Sequence, residues 1–120
     1  MLLVALLGAQ AAEAKQTSLS SQQRFEVIQS NLVRRLTFKL DKFTGDVFLM
    51  VKDSNDRTVW EKMVRQRHPQ DRVSNRYRVN YQISLSELVA ADTFLTNIST
   101  GATWQCVQAQ DGDLVWEAMK

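Results

Sequence analysis

The chain has one cysteine, one proline, one histidine and four glycines in 120 residues. A lone cysteine excludes an intrachain disulfide and any zinc site built on several thiolates. With so little glycine and proline, and with 44% apolar and 23% charged residues, the chain is neither collagen-like nor wholly disordered. No apolar run approaches the roughly 20 residues that cross a bilayer as a helix. The formal charge of +2 is too small to mark a nucleic-acid binder. What remains is one domain, long enough to bury a core without covalent staples.

The longest apolar run, LLVALLGA from Leu2, is followed by Ala9-Gln10-Ala11, Ala12-Glu13-Ala14 and then by KQTSLSSQQ. An apolar segment, small-x-small sites and a polar stretch in that order are the pattern of a secretory signal peptide, with cleavage expected after Ala14. Cleavage there removes Glu13 and leaves 15 basic and 12 acidic residues, net +3. No cysteine follows the run, which speaks against a lipid anchor. The expected location is extracytoplasmic, periplasmic or secreted, with no transmembrane span. Residues 15–23, rich in Gln, Ser and Thr, read as a flexible leader.

Residues 24–63 laid over 80–119 without a gap give twelve identities in forty positions. Chance pairing gives about two or three, so the offset of 56 is an internal repeat. The identities include Ser30/Ser86, Thr37/Thr93, Phe38/Phe94, Thr44/Thr100, Gly45/Gly101, Trp60/Trp116, Glu61/Glu117 and Met63/Met119. Phe48 aligns with Trp104, Met50 with Cys106, and Asp41 with Asn97.

Each copy offers four short runs rich in aromatic and β-branched residues: FEVIQ, RLTFKL, DVFLMV and TVWEKM, then YQISL, DTFLT, TWQCV and LVWEAM. The segments from Asp41 to Gly45 and from Asn97 to Gly101 fit four-residue hairpin loops, in which Asp or Asn bonds the turn backbone and Gly takes positive φ. A single helical turn is conceivable from Ser84, where Ser84-x-x-Glu87 has the form of a capping box. The expected fold is therefore all-β, two duplicated four-stranded antiparallel meanders forming a sandwich or a barrel. The domain spans 24–120, as repeats 24–63 and 80–119 with a basic linker, 64–79.

The D-x-x-T-G-x-x-(F/W) hairpin, on Asp41, Thr44, Gly45, Phe48 and on Asn97, Thr100, Gly101, Trp104, resembles the repeat of quinoprotein β-propellers. Two copies fall short of the roughly four to eight blades that close a propeller, and no quinone or other cofactor is expected. The whole chain, with V-W-E closing each copy, resembles small exported bacterial β-repeat proteins of unassigned function. That resemblance implies an exported β-module and brings no catalytic residues.

The small net charge is a cancellation. Repeat one carries eight basic and six acidic residues, the linker five Arg and one Asp, and repeat two five acids and no Lys or Arg. The linker arginines Arg65, Arg67, Arg72, Arg76 and Arg78 are the candidate binding residues, since guanidinium groups suit carboxylate and phosphate ligands. The alternative is that they lie over the acidic repeat two or are simply solvated. Trp60, Trp104 and Trp116 are expected to anchor the core, with Gly45 and Gly101 setting the turns.

Other groups are weaker candidates. Glu61 and Glu117 would form an acid–base pair only if a pseudo-twofold brought them together. Asp53, Asn55, Asp56, Asp111 and Asp113 lack an EF-hand spacing, and turn chemistry explains them, so no metal is expected. Cys106 is expected to be buried. The favoured function is an exported, non-enzymatic binding or interaction module for an anionic cell-envelope or protein partner, with nucleic acid an unlikely target. A glycan-directed hydrolase or hydrolase inhibitor, and a structural assembly subunit or homodimer using edge strands, are the alternatives.

Overall fold

A computed structural model of the chain describes residues 15–31, 36–85 and 92–120. The signal-peptide stretch 1–14 and all but the start of the candidate helical turn lie outside the described residues. Nine strands follow in order: β1 (Lys15–Gln16), β2 (Phe25–Gln29), β3 (Thr37–Asp41), β4 (Val47–Lys52), β5 (Thr58–Lys62), β6 (Tyr81–Leu85), β7 (Thr93–Asn97), β8 (Thr103–Gln108) and β9 (Leu114–Ala118). They form two antiparallel sheets, ordered β2-β3-β4-β5 and β1-β6-β7-β8-β9. Neither sheet closes, so the all-β fold is sandwich-like and not a barrel. No helix among the described residues is long and apolar enough to cross a membrane.

The repeat is carried into three dimensions at its offset of 56, strand for strand. The hairpin turns repeat bond by bond. Asp41 Oδ1 accepts from the N–H groups of Phe43 and Thr44, and Asn97 Oδ1 from those of Ser99 and Thr100. Gly45 and Gly101 both sit at φ 80°, where a Cβ would strain the backbone.

Burial shows how the two sheets meet. In β3 the buried apolar side chains are Phe38 and Leu40; in β7 the buried one is Leu95, whose counterpart in repeat one is Lys39. Successive side chains of a strand point to opposite faces. Opposite faces of two equivalent sheets are therefore in contact. Repeat one contributes Ile28, Phe38, Leu40 and Val47 to the core, and repeat two contributes Tyr81, Ile83, Leu85, Leu95, Trp104, Cys106 and Trp116. Full burial of a Phe- or Leu-sized side chain contributes about 1.5–3 kcal/mol, which makes this seam the main source of stability. The sheets are stacked head to tail, and the pseudo-twofold considered from the sequence is absent.

The start of the segment 15–23 joins the second sheet: Lys15 and Gln16 pair with Leu85 and Ser84, and Thr17 is buried, donating to Ile83 O and accepting from Ile83 N. The physical cause is the open edge of β6, whose backbone needs partners. Lys42 reinforces the arrangement. Its side chain is fully buried, and Nζ bonds Ser18 O, Ser18 Oγ, Ser20 O and Glu26 Oε1, which satisfies an ammonium that burial would otherwise penalise.

One expectation, Trp60 as a core anchor, is corrected. Trp104 and Trp116 are core residues, whereas Trp60 lies exposed on the outward face of sheet one, with the Lys39 ammonium 5.1 Å from its ring centroid. The cause is the packing sense: among the described residues, sheet two covers the other face of sheet one.

Candidate functional site

The linker between β5 and β6 runs along the seam. Val64 to Gln66 lies beside β9 as a short parallel segment, with Trp116 N donating to Val64 O and Gln66 N to Trp116 O, both at 2.9 Å. Ala118 N and Trp104 Nε1 also donate to Gln66, at Oε1 and the backbone carbonyl. This covers the backbone edge that β9 would otherwise expose.

Arg65 turns inward. Its Nη1 donates to Gly45 O at 2.9 Å, and its guanidinium lies over the rings of Tyr81 and Trp104, 5.2 and 5.1 Å from the centroids. Its acidic partner is Asp71, at 3.8 Å, which belongs to the linker itself. Asp71 Oδ1 accepts from Tyr81 Oη at 2.6 Å and from Asn97 Nδ2 at 2.9 Å. Burial, followed by the hydrogen bond and charge of Asp71, raises the Tyr81 phenol well above its ordinary pKa. Tyr81 is therefore a neutral donor to a carboxylate.

From Asp71 the loop is held by two buried amides. Asn97 Nδ2 also donates to Arg72 O at 2.9 Å, and Asn80 Nδ2 lies 2.8–3.1 Å from the carbonyls of Asn75, Phe43 and Arg78. In repeat one the corresponding positions are Arg24 and Asp41, which bond each other through two contacts of 3.0 and 2.8 Å. An ion pair in one copy is thus replaced in the other by two amides that bind the linker. That exchange is visible in the aligned repeats, although its role was not. Asp offers only acceptors, whereas Asn97 serves the turn with its oxygen and the loop with its nitrogen.

The five arginines part company. Arg65 is packed into the seam, while Arg67, Arg72, Arg76 and Arg78 are exposed and make no ion pair among the described residues. Among the described residues of the acidic repeat two, none pairs with them. Tyr77, between Arg76 and Arg78, is 86% exposed. A backbone held by hydrogen bonds therefore carries three exposed guanidinium groups, from Arg72, Arg76 and Arg78, with no ion pair among the described residues and an open phenol ring among them.

The remaining candidates resolve into structure. Glu61 and Glu117 are both exposed, and no bond joins them. Asp53 Oδ1 accepts from Asn55 N and Arg57 N, and Asp111 Oδ1 from Asp113 N. Among the described residues no group of three or more His, Cys, Asp and Glu is placed to hold a metal. Cys106 is buried, and burial pushes its thiol up to about 11. His68 is occupied elsewhere: Gln70 N donates to Nδ1, which leaves the Nε2 proton for Met119 O at 3.0 Å. A cleft of about 390 Å³ beside Arg65 is lined by Gly45, Asp46, Lys62, Met63 and Trp116 among others. Trp116 Nε1 is buried and has no hydrogen-bond partner among the described residues, with the Phe38 ring 5.8 Å from its own. Comparison with family models, curated proteins and solved structures finds no match.

Proposed function

We propose that the chain is an exported, non-enzymatic interaction module that presents Arg72, Arg76 and Arg78 to an anionic partner, with Arg67 set further back in the linker. The observation that supports this reading is the contrast between backbone and side chains in the loop. Asn80, Asn97 and Asp71 fix the backbone from below, while the guanidinium groups above make no ion pair among the described residues. Preorganised donors bind with less loss of conformational entropy than mobile ones. Arginine pairs bidentately with phosphate and carboxylate, and Tyr77 adds a flat apolar surface between two of the charges. An acidic polymer of the cell envelope offers such groups in series.

The test is retention on heparin-like and lipopolysaccharide matrices across a salt gradient. The native chain is expected to bind and to elute with added salt, since exposed charge pairs are screened. The Arg72→Ser, Arg76→Ser, Arg78→Ser triple variant is expected to elute far earlier. Equal elution of the two, or no retention of either, removes the proposal.

A further inference from the structure

Among the described residues, the head-to-tail packing leaves each repeat with one face uncovered. Repeat two meets repeat one through Tyr81, Ile83, Leu95, Trp104 and Trp116. The same stations in repeat one hold Phe25, Val27, Lys39, Phe48 and Trp60, on the outward face of sheet one. Phe25 and Val27 are 50% and 55% exposed. At the far end, Phe94, Thr96 and Thr103 of sheet two occupy the stations of Phe38, Leu40 and Val47, and face outward. The turn tells the same story. A Cβ on Gly45 would meet the Tyr81 ring at 2.8 Å, whereas on Gly101 it would meet nothing within 4 Å among the described residues.

We propose that the outward face of sheet one docks on the outward face of sheet two of a second copy of this chain, repeating between molecules the seam that joins the two repeats within one. Chemistry favours this occupant. Lys39 lies over Phe48 and Trp60 on the first face, with Lys62 beside Phe48 and 3.5 Å from Asp46, and Glu117 stands beside Gln105 on the second. Repeat two, residues 80–119, carries five acids and no Lys or Arg. Both faces have exchanged apolar for polar groups at matching stations: Lys39 stands where Leu95 does, and Thr96 where Leu40 does. The two outer faces are thus more polar than the inner seam, with the Lys39 ammonium on one and the Glu117 carboxylate on the other, as suits a reversible contact. Such a contact is heterologous, so it extends a ring or a filament instead of stopping at a symmetric dimer. It is independent of the arginine loop.

Sedimentation equilibrium over a concentration series tests it, with one variant for each face. Lys39→Glu with Trp60→Ser alters the first face, and Lys39→Glu alone serves as a milder form. Gln105→Lys with Glu117→Lys alters the second. All these side chains lie on the outward faces, so the near-ultraviolet signal of Trp104 and Trp116 is expected to persist. The native chain is expected to exceed monomer mass as concentration rises and to return toward it in high salt. Each altered chain alone is expected to remain monomeric. Mixed one to one, they are expected to associate beyond monomer mass, because each retains the face that the other lacks. A native chain that stays monomeric throughout, variants that assemble as the native chain does, or a mixture that stays monomeric overturns the proposal.

Discussion

Trp60 and Trp116 occupy the same station in the two repeats, 56 residues apart, yet Trp60 is 38% exposed and Trp116 only 1%. Each faces the same way within its own sheet. Their fates differ because repeat two lies against the opposite face of repeat one, so Trp116 enters the seam against Phe38 while Trp60 is left outside. Trp116→Ala is expected to cost about 3–5 kcal/mol, as for other buried aromatic truncations. Trp60→Ala is expected to cost less than about 1 kcal/mol, in the range of surface substitutions. Urea unfolding midpoints of the two variants check this, and equal losses would contradict the packing sense.

The two turn glycines separate a local cost from a packing cost. Both sit at φ 80°, so alanine at either is expected to lose about 1–2 kcal/mol from the left-handed backbone. Gly45→Ala must in addition displace Tyr81 and the Arg65 guanidinium, while Gly101→Ala meets open space. Thermal unfolding is therefore expected to rank Gly45→Ala well below Gly101→Ala.

Asp41 gives a pH dependence with a definite sign. Burial opposes its charge, but the hydrogen bonds from Arg24 and from the turn at Phe43 and Thr44 outweigh that and hold its carboxyl below the usual range. Its contribution is complete above the ordinary carboxylate pKa of about 3.9, and is lost as pH falls through the lower folded value. Asp41→Asn is expected to keep the turn, as Asn97 does in repeat two, and to lose the Arg24 pair. Acid titration of stability is expected to show a shallower fall for Asp41→Asn than for the native chain.

Cys106 is expected to resist thiol reagents at pH 8 in the folded chain and to react fully once the chain is denatured. Burial raises its pKa to about 11, so the folded thiol stays protonated where an unfolded one, near 8.5, begins to ionise. The sign is opposite to that of Asp41: its stabilising contribution is full below about 8.5 and is lost as pH rises toward the folded value. Labelling of native protein at the rate of a free thiol would contradict the burial.

The duplication made the strands and turns legible, because pairs such as Gly45/Gly101 and Trp60/Trp116 mark equivalent stations without reference to any fold. Which face of each sheet would be covered was not legible. The sequences of β5 and β9 are nearly alike, and the choice depends on how two sheets stack. Lys39 against Leu95 was the available signal, a charge where the partner repeat has an apolar core residue. Two further features hid behind ordinary composition. Gln, Ser and Thr before residue 24 read as solvated, yet β6 needs a backbone partner and Lys42 needs acceptors. The linker arginines read as one cluster, but stacking on Tyr81 and Trp104 selects Arg65 alone for the interior.

The central claim is that equivalent sheets meet through opposite faces, and fluorine NMR of fluorotryptophan-labelled protein tests it most directly. A soluble paramagnetic agent is added at low protein concentration, and the resonances are assigned with single Trp→Phe variants. The expected result is strong relaxation of the Trp60 resonance alone, with Trp104 and Trp116 protected. Relaxation of Trp116, or equal protection of Trp60 and Trp116 in dilute solution, would contradict the head-to-tail arrangement.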